Sequence, residues 1–184
     1  MLKQNAITQT KDILIKYLRS FLKDRNNYIK FTDIDCTDSQ IIDKQPNTLI
    51  KFPTILIIAI NGNYINSGIG DICSELYDEL GNCIGYRYSG MLELPVTIEL
   101  ATKTSKERDL LVDLISLALR VILRRQLESA GILIKDMKYG GESEIQYDSD
   151  KIYIATLQFT TWSEWYEDID LLPLTGIDVD IKYQ

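Results

Sequence analysis

Three carboxylates within six residues, Asp33, Asp35 and Asp38, form the densest run of potential metal ligands in the sequence. Oxygen donors so spaced suit a hard divalent ion. The run lacks the glycine at the sharp turn and the distal glutamate of a calcium loop, so a solvated acidic loop is the simpler reading. Asp148 and Asp150 form a weaker pair of the same kind. The glycines between Asn61 and Gly70 follow an apolar strand, as in phosphate-binding loops, but no Gly-Lys-Ser/Thr follows them, which leaves an ordinary turn. Histidine is absent, which removes the commonest general base and metal ligand. Cys36, Cys73 and Cys83 include no CxxC pair and leave an odd thiol, so neither a disulfide framework nor a zinc site is expected. Without a histidine partner a thiol is mostly protonated at neutral pH. Cys73 and Cys83 therefore read as buried structural cysteines rather than nucleophiles. No catalytic residue, cofactor site or metal site is assigned, and an enzyme is not expected.

With chemistry so thinly represented, the remaining candidates are surfaces. The best-specified stretch runs from Leu92 to Tyr139. Leu92, Leu94, Val96, Ile98 and Leu100 alternate with Glu93, Pro95, Thr97 and Glu99, the pattern of a half-buried strand. Pro95 has no N–H to give to a ladder, which predicts a sheet edge or irregular pairing there. Thr104-Ser-Lys-Glu107 is a capping box that opens a helix, and Gly131 is a natural C-terminal cap. One helix of about 25 residues is predicted between them, roughly 38 Å long. Its apolar arc is wider than one sheet face can use, because Val112, Leu119 and Leu123 broaden the stripe carried by Leu111, Leu114 and Ala118. Either the first helix or another subunit must cover the surplus.

The other elements follow the same rules. Apolar spacing predicts a first helix from about Ile7 to Phe21, capped by Thr8 or Thr10. Residues 23–48 read mostly as loop, with one weak strand. Pro53 to Ile60 is a continuous β-branched run, expected to be a central strand buried on both faces. A hairpin turning at Gly81-Asn82 would place Tyr77 opposite Tyr86 and Glu75 opposite Tyr88, and Ser89-Gly90 would turn the chain into the edge strand. Strands are predicted at Ile132 to Tyr139 and Lys151 to Trp162, joined by a polar connection over 140–149. Tyr153, Ala155, Leu157 and Phe159 would form the core face of the second. Residues 163–184 read as a C-terminal arm or short added strand, with Trp165 and Tyr166 as aromatic anchors for a partner and an alternating segment from Ile177 to Ile181. The order predicts one α+β domain over 1–184: a mainly antiparallel sheet with an N-terminal helix and one long central helix on one face.

The 27 acidic and 20 basic residues give a net charge of −7, which disfavours non-specific binding to nucleic acid backbones. The N-terminus has no apolar signal core, and the longest apolar run is too short to span a bilayer. A reducing, intracellular folding compartment fits.

The hairpin and alternating strand before Thr104, the polar-start helix Thr104-Ser-Lys-Glu-Arg-Asp-Leu-Leu-Val-Asp-Leu, and the late strand running into Thr160-Thr161-Trp162 together resemble the tail-terminator, or tail-completion, proteins of tailed bacteriophages. The resemblance covers about two thirds of the chain as an order of elements. It implies a virion protein of the tail and neck, assembled in the host cytoplasm. It further implies a cyclic homo-oligomer, usually a hexamer, that caps the tail tube, meets a neck protein and lets DNA pass through an acidic lumen without specific binding. On this reading the interface candidates are Leu92, Leu94, Pro95, Val112, Leu119, Leu123, Trp165 and Tyr166. Two other readings stay open: a regulatory module docking a peptide along the Leu92 edge strand, and a metal-dependent enzyme using Asp33, Asp35 and Asp38.

Overall fold

A computed structural model describes residues 6–43, 51–59, 61–66, 72–147 and 150–171. The first helix, α1 (Ala6–Lys23), turns Leu14, Leu18, Phe21 and Leu22 inward, the stripe that three-and-four spacing produces. Thr10 lies within this helix and is buried, so it is not the cap. A short 3₁₀ turn, Arg25–Asn27, comes next, then strand β1 (Gln40–Ile42). The strands β2 (Thr54–Ala59), β3 (Asn63–Asn66), β4 (Ile72–Tyr77) and β5 (Cys83–Thr102) lead to α2 (Ser105–Leu117) and α3 (Arg124–Ser129). Strands β6 (Ile132–Tyr147) and β7 (Asp150–Asp170) complete the described chain.

Among the described residues the seven strands form one sheet with the order β1-β2-β5-β7-β6. Only β1 and β2 pair in parallel, and the other pairs are antiparallel. The α+β class therefore holds, with a mixed sheet. β5 is its axis. One edge pairs with β7 from Gly85↔Asp170 to Thr102↔Tyr153. The other edge is lined by β4, β3 and β2 in turn, three collinear strands antiparallel to β5. The Leu92 stretch is thus not an edge strand, and a peptide cannot add to it. Pro95 is accommodated by the other predicted route, irregular pairing. β2 ends opposite Val96 and β3 begins opposite Glu93, so the ladder is interrupted on that flank beside Leu94 and Pro95.

The helices pack on the face that carries Leu92, Leu94, Val96, Ile98 and Leu100, each at most 1% exposed. Ile55 and Ile57 of β2, and Leu157 and Phe159 of β7, complete this layer. The central helix is not continuous. α2 is capped as predicted, with the Glu107 amide donating to the Thr104 hydroxyl at 3.2 Å. After Leu117 one π-helical turn, Ala118–Ile122, intervenes, closed by the Leu123 amide donating to the Ala118 carbonyl at 2.8 Å. The extra residue in that turn rotates α3 relative to α2 about the common axis. The inward stripe passes from Leu111, Ile115 and Ala118 to Leu119, Leu123 and Leu127. The wide apolar arc is therefore one stripe read across a slip in phase. Leu119 and Leu123 are core residues, 1% and 4% exposed, and the surplus assigned to a partner does not exist there. Gly131 ends the helix with a φ of 84°.

Several strands outrun their predicted ends. β5 continues through Ser89-Gly90, where the sequence predicts a turn, and β6 continues through Gly140-Gly141 with a register shift. β7 runs on through Trp165 and Tyr166 to Asp170, so residues 163–170 are sheet rather than a free arm. Gly90 lets the strands close up, since an added Cβ would meet the Ile65 carbonyl oxygen. The β4–β5 turn spans residues 78–82. The Asp78 carboxylate accepts from the Leu80 and Asn82 amides at 2.9 and 2.8 Å. This longer turn shifts the register: Tyr77 pairs with Cys83 and Glu75 with Tyr86. Residues 172–184, including the alternating segment 177–181, lie outside the described residues.

Core placement gives a direct test. Leu119→Ala and Leu123→Ala should each lower unfolding free energy by about 2–5 kcal/mol, whereas Val121→Ala, at a position 63% exposed, should change it by less than about 0.5 kcal/mol. Urea denaturation followed by circular dichroism checks the contrast. Equal effects at positions 119 and 121 would refute the phase slip.

Candidate functional site

The acidic run is positioned by the residues between its carboxylates. Cys36 is buried, and its amide donates to the hydroxyl of buried Tyr28 at 2.9 Å, which anchors the loop after α1. Asp33, Asp35 and Asp38 are left pointing outward, all exposed. Asp35 accepts from the Thr37 amide at 3.0 Å and hydroxyl at 2.7 Å, and these bonds hold its carboxyl below the usual range. No group of three or more His, Cys, Asp or Glu forms a metal-holding cluster among the described residues. Asp148 lies outside them. Of the thiols, Cys73 is exposed on β4 and Cys83 is half-buried, so the expectation that both are buried is wrong, and Cys36 is the buried one.

The sequence-chosen surface residues divide. Leu92, Leu94, Leu119 and Leu123 are interior and unavailable to a partner. Val112 is half-buried against the core. Pro95 is exposed on the face away from the helices. Trp165 and Tyr166 are half-buried and point to opposite faces of β7. Trp165 lies against Tyr64 edge to face, with centroids 5.5 Å apart, opposite the side-chain-free Gly90. Its indole N–H is buried with no hydrogen-bond partner among the described residues. Tyr166 lies under the Arg87 guanidinium at 4.8 Å.

Beyond Trp165 the sheet continues without a helix layer. The first half of β5, the end of β7 and all of β4 form a three-stranded extension whose core-side face holds no member of the hydrophobic core. Tyr86 pairs with Ile169 and Tyr88 with Glu167 across β5 and β7, and Ile72 pairs with Tyr88 on β4. Ile72, Ile84, Ile169 and Leu171 are each 43–50% exposed. On the reverse face Arg87 donates to both Asp168 carboxylate oxygens, at 2.6 and 2.8 Å, directly across the ladder. A bidentate bond of this kind fixes geometry, and here it fixes register in a strand pair that has no core to fix it. Residues Ile72, Ile84 and Ile169 were not singled out from sequence. The signal was their alternation with polar neighbours, which is weak in a strand wet on both faces.

At the other end of the sheet Arg108, 6% exposed, ties the first turn of α2 to β6. Its guanidinium pairs with Asp109 at 2.7 Å and with Glu142 at 2.6 Å. A buried guanidinium requires such partners. Glu142 also binds the Tyr139 phenol, and desolvation together with that hydrogen bond pushes the phenol up to about 12. No helix among the described residues is long and apolar enough to cross a membrane. Neither protein-family models nor curated protein sequences give a match to the chain.

The thiols make the geometry measurable. A maleimide probe at neutral pH should modify Cys73 in the native protein and reach Cys36 only on unfolding. Burial pushes the Cys36 thiol up to about 11 from an ordinary 9.0. Its neutral form is therefore favoured by folding, and that contribution is full below pH 9 and lost as the pH rises through 11. The alkaline loss should shrink in Cys36→Ala. Native-state labelling of Cys36 at the rate of Cys73 would contradict this placement.

Proposed function

We propose that the protein is a structural assembly subunit, a ring-forming tail terminator of a tailed bacteriophage that caps the tail tube and joins it to the neck. The observation that carries this reading is the uncovered extension of β4, β5 and β7. A three-stranded sheet with both faces open and several half-exposed isoleucines and tyrosines is costly to leave in water, and apolar patches of this kind mark interaction surfaces. The resemblance in element order supports it.

In this role the helix-covered half is the rigid body of the subunit and the extension is the contact element. Neighbouring copies related by rotation would bury the Ile72, Ile84 and Ile169 face in heterologous contacts, which close into a ring when the rotation closes. The net charge of −7 suits a lumen through which DNA slides without adhering. The interface therefore moves from the positions chosen on sequence grounds to the extension, with Trp165 and Tyr166 at its base. The mechanism is steric: the ring occupies the last tube surface, ends polymerisation and offers its opposite side to the neck.

Negative-stain microscopy of the purified chain, alone and with tail tubes, tests the reading. Rings or capped tube ends are expected. The pair Ile84→Asp and Ile169→Asp should abolish them while moving the melting temperature little, because both side chains are exposed. A wild-type chain that stays monomeric and ignores tube ends overturns the reading.

A further inference from the structure

β6 is the outermost strand of the sheet, and among the described residues nothing pairs with its free edge. Its first half is irregular. Lys135 pairs with Thr160 and Lys138 with Gln158, so three residue steps on β6 match two on β7. The extra residue is accommodated at Asp136, which adopts a φ of 53°. A bulge of this kind re-aims side chains. Here it places Lys135 and Lys138 on the same face, away from the helices, one strand repeat apart. Lys135 lies over the Trp162 ring at 3.3 Å, while exposed Lys138 has no partner among the described residues. Of the acids of β6, Glu142 pairs with Arg108 and Glu144 with Lys151, while Asp136 sits in the bulge between the two lysines. On the helix side, the same edge borders a groove of about 430 Å³ whose floor of Val121, Leu127 and Ile132 is rimmed by Arg120, Arg124 and Glu128.

A strand fitting this edge needs apolar residues on the groove side and two acids, two residues apart, on the other. Ile177-Asp178-Val179-Asp180-Ile181 has that pattern. We infer that this C-terminal segment of one copy adds as a strand to the β6 edge of another copy, with Asp178 and Asp180 facing Lys135 and Lys138. The donor must be a second copy, because the chain's own segment is too short. Thr160, level with Lys135, lies eleven positions before Leu171, about 36 Å along an extended strand. Asp180 lies nine positions after Leu171, a reach of at most about 32 Å, and the β6 edge is a further 10 Å or so to the side. The exchange rests on the ring reading, and it supplies a second, backbone-paired contact between neighbours. β-strand addition draws affinity from main-chain bonds and register from side chains, so the lysine pair would set the register.

Charge reversal in the full chain tests it. Asp178→Lys with Asp180→Lys, and separately Lys135→Glu with Lys138→Glu, should each reduce the ring fraction seen by negative stain and sedimentation at least tenfold. All four substitutions in one chain should restore it, as should mixing the two double variants. Circular dichroism confirms that each variant folds. Rings unaffected by either double variant, or not recovered by the fourfold one, overturn the strand exchange and leave the ring reading standing. A wild-type chain that forms no rings overturns both.

Discussion

The ladder between β5 and β7 is the constraint on which the rest of the molecule depends. It runs without a register shift from Gly85 to Thr102 on one strand and from Asp170 to Tyr153 on the other. Each end has a different environment. The Leu92 to Leu100 half is fixed by burial, since a one-residue slip would turn five core side chains to the opposite face. The Gly85 to Met91 half has no such penalty, and there the Arg87–Asp168 pair and the Arg87–Tyr166 contact hold the register. One continuous hydrogen-bonded element therefore carries order from a dry core into a region that could not stay folded alone. The short strands β2, β3 and β4 depend on it in turn, because among the described residues each finds its antiparallel partner on β5.

Much of the covered half was legible in the sequence. Strict alternation from Leu92, the Thr104 cap, the Gly131 stop and the β-branched run at Ile55 each have a local cause, and local causes are what a sequence displays. The helix after Leu117 shows the limit. Periodicity reports an average phase, and a single π turn shifts that phase while leaving every apolar residue in place, so Leu119 and Leu123 looked like excess surface when they were core. Pro95 was legible in part. Its missing N–H predicted either a sheet edge or irregular pairing, and the second holds, because β2 ends opposite Val96 and β3 begins opposite Glu93.

The uncovered extension was less legible for a different reason. A strand wet on both faces is under no obligation to alternate, so Ser89-Gly90 looked like a turn, and the residues after Trp162 looked like an arm or a short added strand. Sheet pairing there depends on partners distant in sequence: Tyr86 meets Ile169, and Arg87 meets Asp168. Neither partner shows its role locally. Trp165 was visible as an aromatic out of place among acids, and its packing on Tyr64 over a side-chain-free Gly90 shows why a large ring was needed at the point where the helix layer ends.

The collinear arrangement of β2, β3 and β4 along β5 also sets the mechanics of the subunit. A pull on β5 at the extension, resisted through β7 at the helical body, loads the β5–β7 hydrogen bonds side by side in shear rather than opening them one after another from an end. Resistance then grows with the length of strand engaged. The opposite flank of β5 is broken beside Leu94 and Pro95, so it transmits tension in shorter pieces and yields first. The molecule is consequently stiff along one side of its central strand and compliant along the other, a built-in direction in which the extension bends before it tears.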